Sequence, residues 1–137
     1  MRADVMLCDH AVVADGKLYI HGGGWSTAAI PNMTSGLAIL LHVGWAETNQ
    51  KQELRVSLKD DDGVDMTQPN PVGGEDAIAF GIEFEVGRPP GIAHGSELTL
   101  PFAANFPPLP LAAGKGYCWT VAVGDQELER ASFRVAP

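Results

Sequence analysis

Two stretches and one scattered group of residues in this chain have catalytic or ligand-binding potential. The first is His21-Gly22-Gly23-Gly24. A histidine followed by glycines has the makings of an oxyanion loop, where backbone N–H groups approach a developing negative charge. That chemistry also needs a nucleophile on a Gly-x-Ser-x-Gly turn. The sequence has none, and the nearest spacing, Gly91-Ile92-Ala93-His94-Gly95, lacks the serine. No Lys-Ser/Thr follows the glycines, so they do not form a phosphate loop. They are read as a bend ahead of a buried Trp25.

The second stretch is Asp60-Asp61-Asp62-Gly63-Val64-Asp65. Asp60, Asp62 and Asp65 could offer oxygens to calcium. An EF-hand register with Gly63 at its sixth position would put Leu58 first and Pro69 twelfth, so both end ligands are missing. A hairpin turn is the expected reading, with weak surface calcium binding as the alternative. No other metal site and no cofactor is expected.

The third group is scattered. His10, His21, His42 and His94 are never three or four residues apart, so no local metal pair is read from their spacing. His42 is expected on the less apolar face of a central strand, as a core or interface histidine or as a base. Glu83 and Glu85 would share a strand face about 7 Å apart. They are expected in solvent opposite Arg55 and Lys59, not as a glycosidase pair. Trp25 and Trp45 flank turns and could line a carbohydrate or peptide site, or pack. The candidate binding residues are therefore Trp25, Trp45, His21 and His42, and no catalytic set is assembled.

The elements that position these residues are short runs of period two separated by turn residues. Asp15-Gly16 marks a hairpin between Ala11 and Gly22. A short strand over 25–30 would stop at Pro31-Asn32. Leu37 to Trp45 is apolar on both faces, which predicts a central strand covered on two sides. Ala46 to Gln52 could form one helical turn. The stretch 65–76 reads as a loop. Pro101 breaks the strand from Glu97 to Phe106 and predicts an edge position or a bulge. The expected fold is all-β: one antiparallel β-sandwich domain over residues 1–137, immunoglobulin-like or related. It would have about eight strands and at most one short helical turn. Its core would draw on Leu7, Leu18, Ile20, Ile39, Leu41, Val43, Leu54, Val56, Leu58, Ile82, Phe84, Trp119, Val121, Phe133 and Val135.

Composition limits the partners. The 137 residues hold 9 Lys+Arg against 17 Asp+Glu, a net charge of −8. No two basic residues are adjacent, which disfavours nucleic acid and anionic membranes. The longest apolar run is far short of a membrane span, and residues 1–4 do not open a signal peptide, so cytoplasm is the expected compartment. The two cysteines, Cys8 and Cys118, lie in apolar runs and are expected as free thiols. Gly 16 and Pro 10 give a turn-rich chain.

Ala3-Asp4-Val5-Met6-Leu7-Cys8-Asp9 and Gly16-Lys17-Leu18-Tyr19-Ile20-His21-Gly22-Gly23-Gly24-Trp25 form one pattern. Gly116-Tyr117-Cys118-Trp119 and Ala131-Ser132-Phe133-Arg134-Val135 form another. Together they resemble a family of small uncharacterised bacterial proteins. The resemblance implies a bacterial all-β domain and supplies no activity. His21 stands where the resemblance would place an apolar residue.

The expected function is a non-enzymatic binding or assembly module, self-associating or held to another protein. The apolar, proline-rich stretch 98–113 is the expected interface, through Phe102, Phe106, Leu109 and Leu111. The alternatives are a small-ligand or hydrolytic site using a histidine and carboxylates, and a phage or shell component.

Overall fold

The computed structural model describes residues 1–29 and 33–137. The expected strand stop at Pro31-Asn32 lies outside the described residues. The chain is all-β, with twelve strands and one 3-10 turn, Trp45–Glu47, among the described residues. The strand count exceeds the expected eight or so because two small hairpins accompany two larger sheets.

The first larger sheet is antiparallel and has three strands. Its middle strand, β5 (Ser35–Val43), lies between β1 (Arg2–Cys8) and β10 (Leu98–Phe106). Pro101 therefore sits on an edge strand, where its missing N–H costs no ladder bond between central strands. The second larger sheet has five strands. Its order is β4 (Thr27–Ala28), β12 (Gln126–Val135), β11 (Gly116–Val123), β6 (Gln52–Asp60) and β9 (Ala79–Phe84). All its pairs are antiparallel except β4 with β12.

The two sheets share one hydrophobic cluster. Period two delivers Leu37, Ile39, Leu41 and Val43 from β5, and Leu54, Val56 and Leu58 from β6. Trp119 and Val121 of β11 and Val135 of β12 complete its driest part. Each such side chain contributes about 1.5–3 kcal/mol by leaving water. Aromatic contacts tie the sheets together. Phe106 stacks on Trp119 at 4.5 Å between ring centres, and Phe84 meets Phe102 edge-on at 5.8 Å.

Two hairpins lie outside these sheets. β2 (His10–Ala14) and β3 (Lys17–His21) pair through a turn at Asp15 and Gly16. Both turn residues have positive φ, 52° and 69°. That is the twist of a two-residue hairpin loop, and it suits Asp-Gly. β7 (Thr67–Pro69) and β8 (Glu75–Ala77) form a second hairpin where a loop was expected.

The β2–β3 hairpin corrects the expected core. It packs over the outer face of the three-stranded sheet, so Leu18 joins a separate small cluster with Cys8, Ala11, Ala38 and Ala103. Ile20 is 38% exposed. Alternation gives the face of a strand and not the layer against which that face packs. Ile82 is likewise more exposed than a core residue.

Small side chains let the hairpin approach. A Cβ on Gly36 would stand 2.8 Å from Asn105 Oδ1 and 3.0 Å from Cys8 Sγ. Asn105 then acts as a stand-in for a strand. Its Oδ1 accepts the Ala11 N–H at 3.0 Å, and its Nδ2 donates to the Ala11 carbonyl at 2.7 Å.

Candidate functional site

The outer face of the three-stranded sheet carries the polar residues that the structure gathers. Arg2, Asp4, His42 and Thr99 project there by strand alternation and register. His42 is 8% exposed. Its Nε2 lies 2.6 Å from Asp4 Oδ2, which sets Nε2–H as the donor to the carboxylate. Its Nδ1 lies 3.6 Å from Glu97 Oε1, an ion-pair distance and too long for a hydrogen bond. Arg2 holds Glu97 at 3.0 Å. Asp4, Glu97 and Arg2 were not singled out in the sequence. The Asp4–His42 contact spans 38 residues, and no local motif marks it.

Asp4 also opens onto an apolar groove between this face and the hairpin. The groove holds about 180 Å³ and is lined by Asp4, Val5, Met6, Leu18, Ile20, Ala38 and Leu40. That volume suits one large apolar side chain. Met6, at 43% exposure, and Ile20 form its rim. They meet over Gly23, where a Cβ would stand 2.7 Å from Met6 Sδ and 2.8 Å from Ile20 Cγ2. The glycine run therefore serves close packing as well as a bend.

His21 is not near this groove's polar end. It faces His10 across the hairpin, with ring centres 6.4 Å apart. Trp25 is half-buried and packs edge-on against Phe133 at 5.9 Å. Its Nε1–H has no protein partner among the described residues. Trp45 lies against Arg88, whose Cζ is 4.0 Å from the ring centre, and against the tilted ring of His94 at 4.8 Å. Arg88 is fixed by its bonds to Thr48 Oγ1 and the Trp45 carbonyl, both 2.7 Å. The indole therefore already packs against two side chains of its own chain.

The aspartate turn is occupied by its own chain. Asp60 Oδ1 accepts the N–H groups of Asp62 and Val64, each at 2.9 Å. Asp65 pairs with Lys59 at 2.8 Å. Among the described residues no three His, Cys, Asp or Glu side chains gather as a metal-binding group.

Two expectations are revised. Leu109 is buried, and Phe102, Phe106 and Leu111 pack against the shared core. These four side chains therefore turn toward the core, while Pro107, Pro108 and Pro110 of the same stretch stay exposed. Glu83 stands opposite Glu53, not Arg55, and Arg55 is bonded to Glu53 at 2.6 Å. The exposed apolar residues gather elsewhere. Of the eight large ones among the described residues, Met6, Val12, Val13, Tyr19 and Ile20 lie on β1, β2 or β3, and Val64, Val72 and Ile82 lie apart from them.

Cys8 is fully buried. Burial pushes its thiol pKa up, and the neighbouring Asp9 charge adds to the rise. The thiol is thereby kept protonated and poorly reactive.

This is an all-β protein whose partly covered outer face joins an apolar groove to a histidine held by carboxylates. The chain belongs to a family of unknown function, DUF6941, whose model matches residues 3–136. No curated protein and no solved structure matches the chain. No helix among the described residues is long and apolar enough to cross a membrane.

Proposed function

We propose that the protein is a non-enzymatic, self-associating binding module of the cytoplasm. We read its two larger sheets as one β-sandwich of immunoglobulin-like character, with the hairpins added at its surface. The observation that carries the function is the apolar surface on β1, β2 and β3. An exposed apolar patch with an open strand edge marks association. β3 pairs only with β2 among the described residues, so its other edge is free. Along it Tyr19 is 48% exposed and Ile20 38%, on opposite faces of the hairpin. Two copies related by a two-fold axis would pair β3 with β3 and cover the groove rim at Met6 and Ile20, an isologous contact.

His42 Nε2–H is committed to Asp4, and among the described residues no serine, threonine or cysteine side chain is hydrogen-bonded to either ring nitrogen. That supports binding over catalysis. Sedimentation equilibrium of the whole chain and of Ile20→Lys tests the proposal. The wild type is expected to be a dimer and the variant a monomer of unchanged circular dichroism. A monomer at every concentration overturns it. Large symmetric particles overturn it in favour of a shell component.

One observation favours a second reading, a small-ligand site. Asp4 lines the groove and also holds His42, so an apolar ligand with a basic group would meet both. Under that reading Asp4→Asn abolishes ligand-induced thermal stabilisation and leaves the oligomeric state untouched.

A further inference from the structure

The hairpin brings together two residues that their sequence positions separate. His10 and His21 are opposite each other in the β2–β3 register, and both are exposed. Their rings are 6.4 Å apart between centres and tilted by 39°. We propose that this pair is a binding site for a borderline-soft divalent cation, represented by Zn²⁺, with one imidazole nitrogen from each strand as ligands.

The chemistry favours this pair over the other histidines. His42 is committed to Asp4, and His94 lies against Trp45. The hydrogen bonds of the described residues engage neither His10 nor His21 through its ring, so their nitrogens are open to a metal. Zinc takes imidazole nitrogen at about 2.0–2.1 Å in tetrahedral geometry. Two rings on one such ion have centres about 5 Å apart, so the observed pair closes by roughly 1–2 Å, within reach of side-chain rotation. The backbone is already fixed. Asp15 and Gly16 set the turn, and the Asp9 N–H donates to the His21 carbonyl at 3.0 Å. The Asp9 carboxylate lies against Gly22, beside His21, where a Cβ would collide with it. It adds negative charge next to the pair without serving as a third ligand. Water completes the shell on the open side.

Titration calorimetry of the full chain with ZnCl₂ at neutral pH tests the site, alongside His10→Ala, His21→Ala and the control His94→Ala. All three substitutions are at exposed positions, and circular dichroism checks that each variant is folded. One ion per chain is expected, with affinity falling at least tenfold in His10→Ala and in His21→Ala and unchanged in His94→Ala. Imidazole proton resonances of His10 and His21 should move together on zinc addition in the wild type. No binding at millimolar zinc, or binding that survives both single substitutions, overturns the proposal.

Discussion

The two faces of β5 meet different surroundings, although one strand supplies both. On the inner face Leu37, Ile39, Leu41 and Val43 are fully dry between the two larger sheets. On the outer face Gly36 and Ala38 lie under the hairpin, Leu40 lines an open groove, and His42 is held by Asp4. The inner face is filled to the density of a core, so its residues answer to packing alone. The outer face is only partly covered. It can therefore keep a charged contact, a groove and exposed apolar atoms, at a cost in stability that a binding surface tolerates. Under the proposed function, the contrast puts fold stability on one side of the sheet and association on the other.

The sharpest way to break this contrast is to shorten one side chain on each face. Ile39→Ala should lower unfolding free energy by about 2–5 kcal/mol, because a dry, tightly packed site cannot collapse. Leu40→Ala should cost about 1 kcal/mol, since only part of the side chain leaves water. Chemical denaturation measures both, and equal losses would erase the distinction between the faces.

A smaller effect is expected at the hairpin's anchor. Asn105→Ala removes both bonds to Ala11 and should cost about 1 kcal/mol, because water can reach the freed groups. Hydrogen exchange should quicken across residues 10–21 and leave β6 and β11 unchanged. Uniform quickening would mean that the hairpin and the main core open as one unit.

The two thiols give the smallest separation. Cys8 is buried in the outer cluster, and Cys118 is half-buried on β11. A thiol reagent on the native protein should titrate Cys118 first and reach Cys8 only on unfolding. The raised Cys8 pKa also sets a sign for pH. The unfolded thiol ionises first, from about pH 8.5. Its contribution to stability is complete below that pH and is lost as pH rises toward the folded value, at no more than about 1.4 kcal/mol per pH unit. Cys8→Ala should remove that part of the alkaline loss.

Much of this architecture was legible in the sequence. The two-sided burial of β5 follows from its apolar run, and the β2–β3 turn follows from Asp15-Gly16. The same turn also implies the His10–His21 pair. A two-residue loop at 15 and 16 pairs residues whose numbers sum to 31, and that count places His10 opposite His21. Spacing along the chain, the signal used for helical metal pairs, misses it. The layer of Leu18 and Ile20 was not legible, because alternation is identical whether a hairpin joins a sheet or lies across it. Glu83 was set opposite the wrong residue because the connection from β6 to β9 contains its own hairpin, which hides the register. The Asp4–His42–Glu97 cluster depends on strands that are distant in sequence and adjacent in the sheet, so only the sheet order reveals it.

We propose that the outer face, and specifically the β3 edge with Met6 and Ile20, joins two copies of the chain. Sedimentation equilibrium of wild type and Ile20→Lys over a range of concentrations tests it most directly. The wild type is expected to be a dimer and the variant a folded monomer. A wild-type monomer throughout, or a variant that still dimerises, would contradict it.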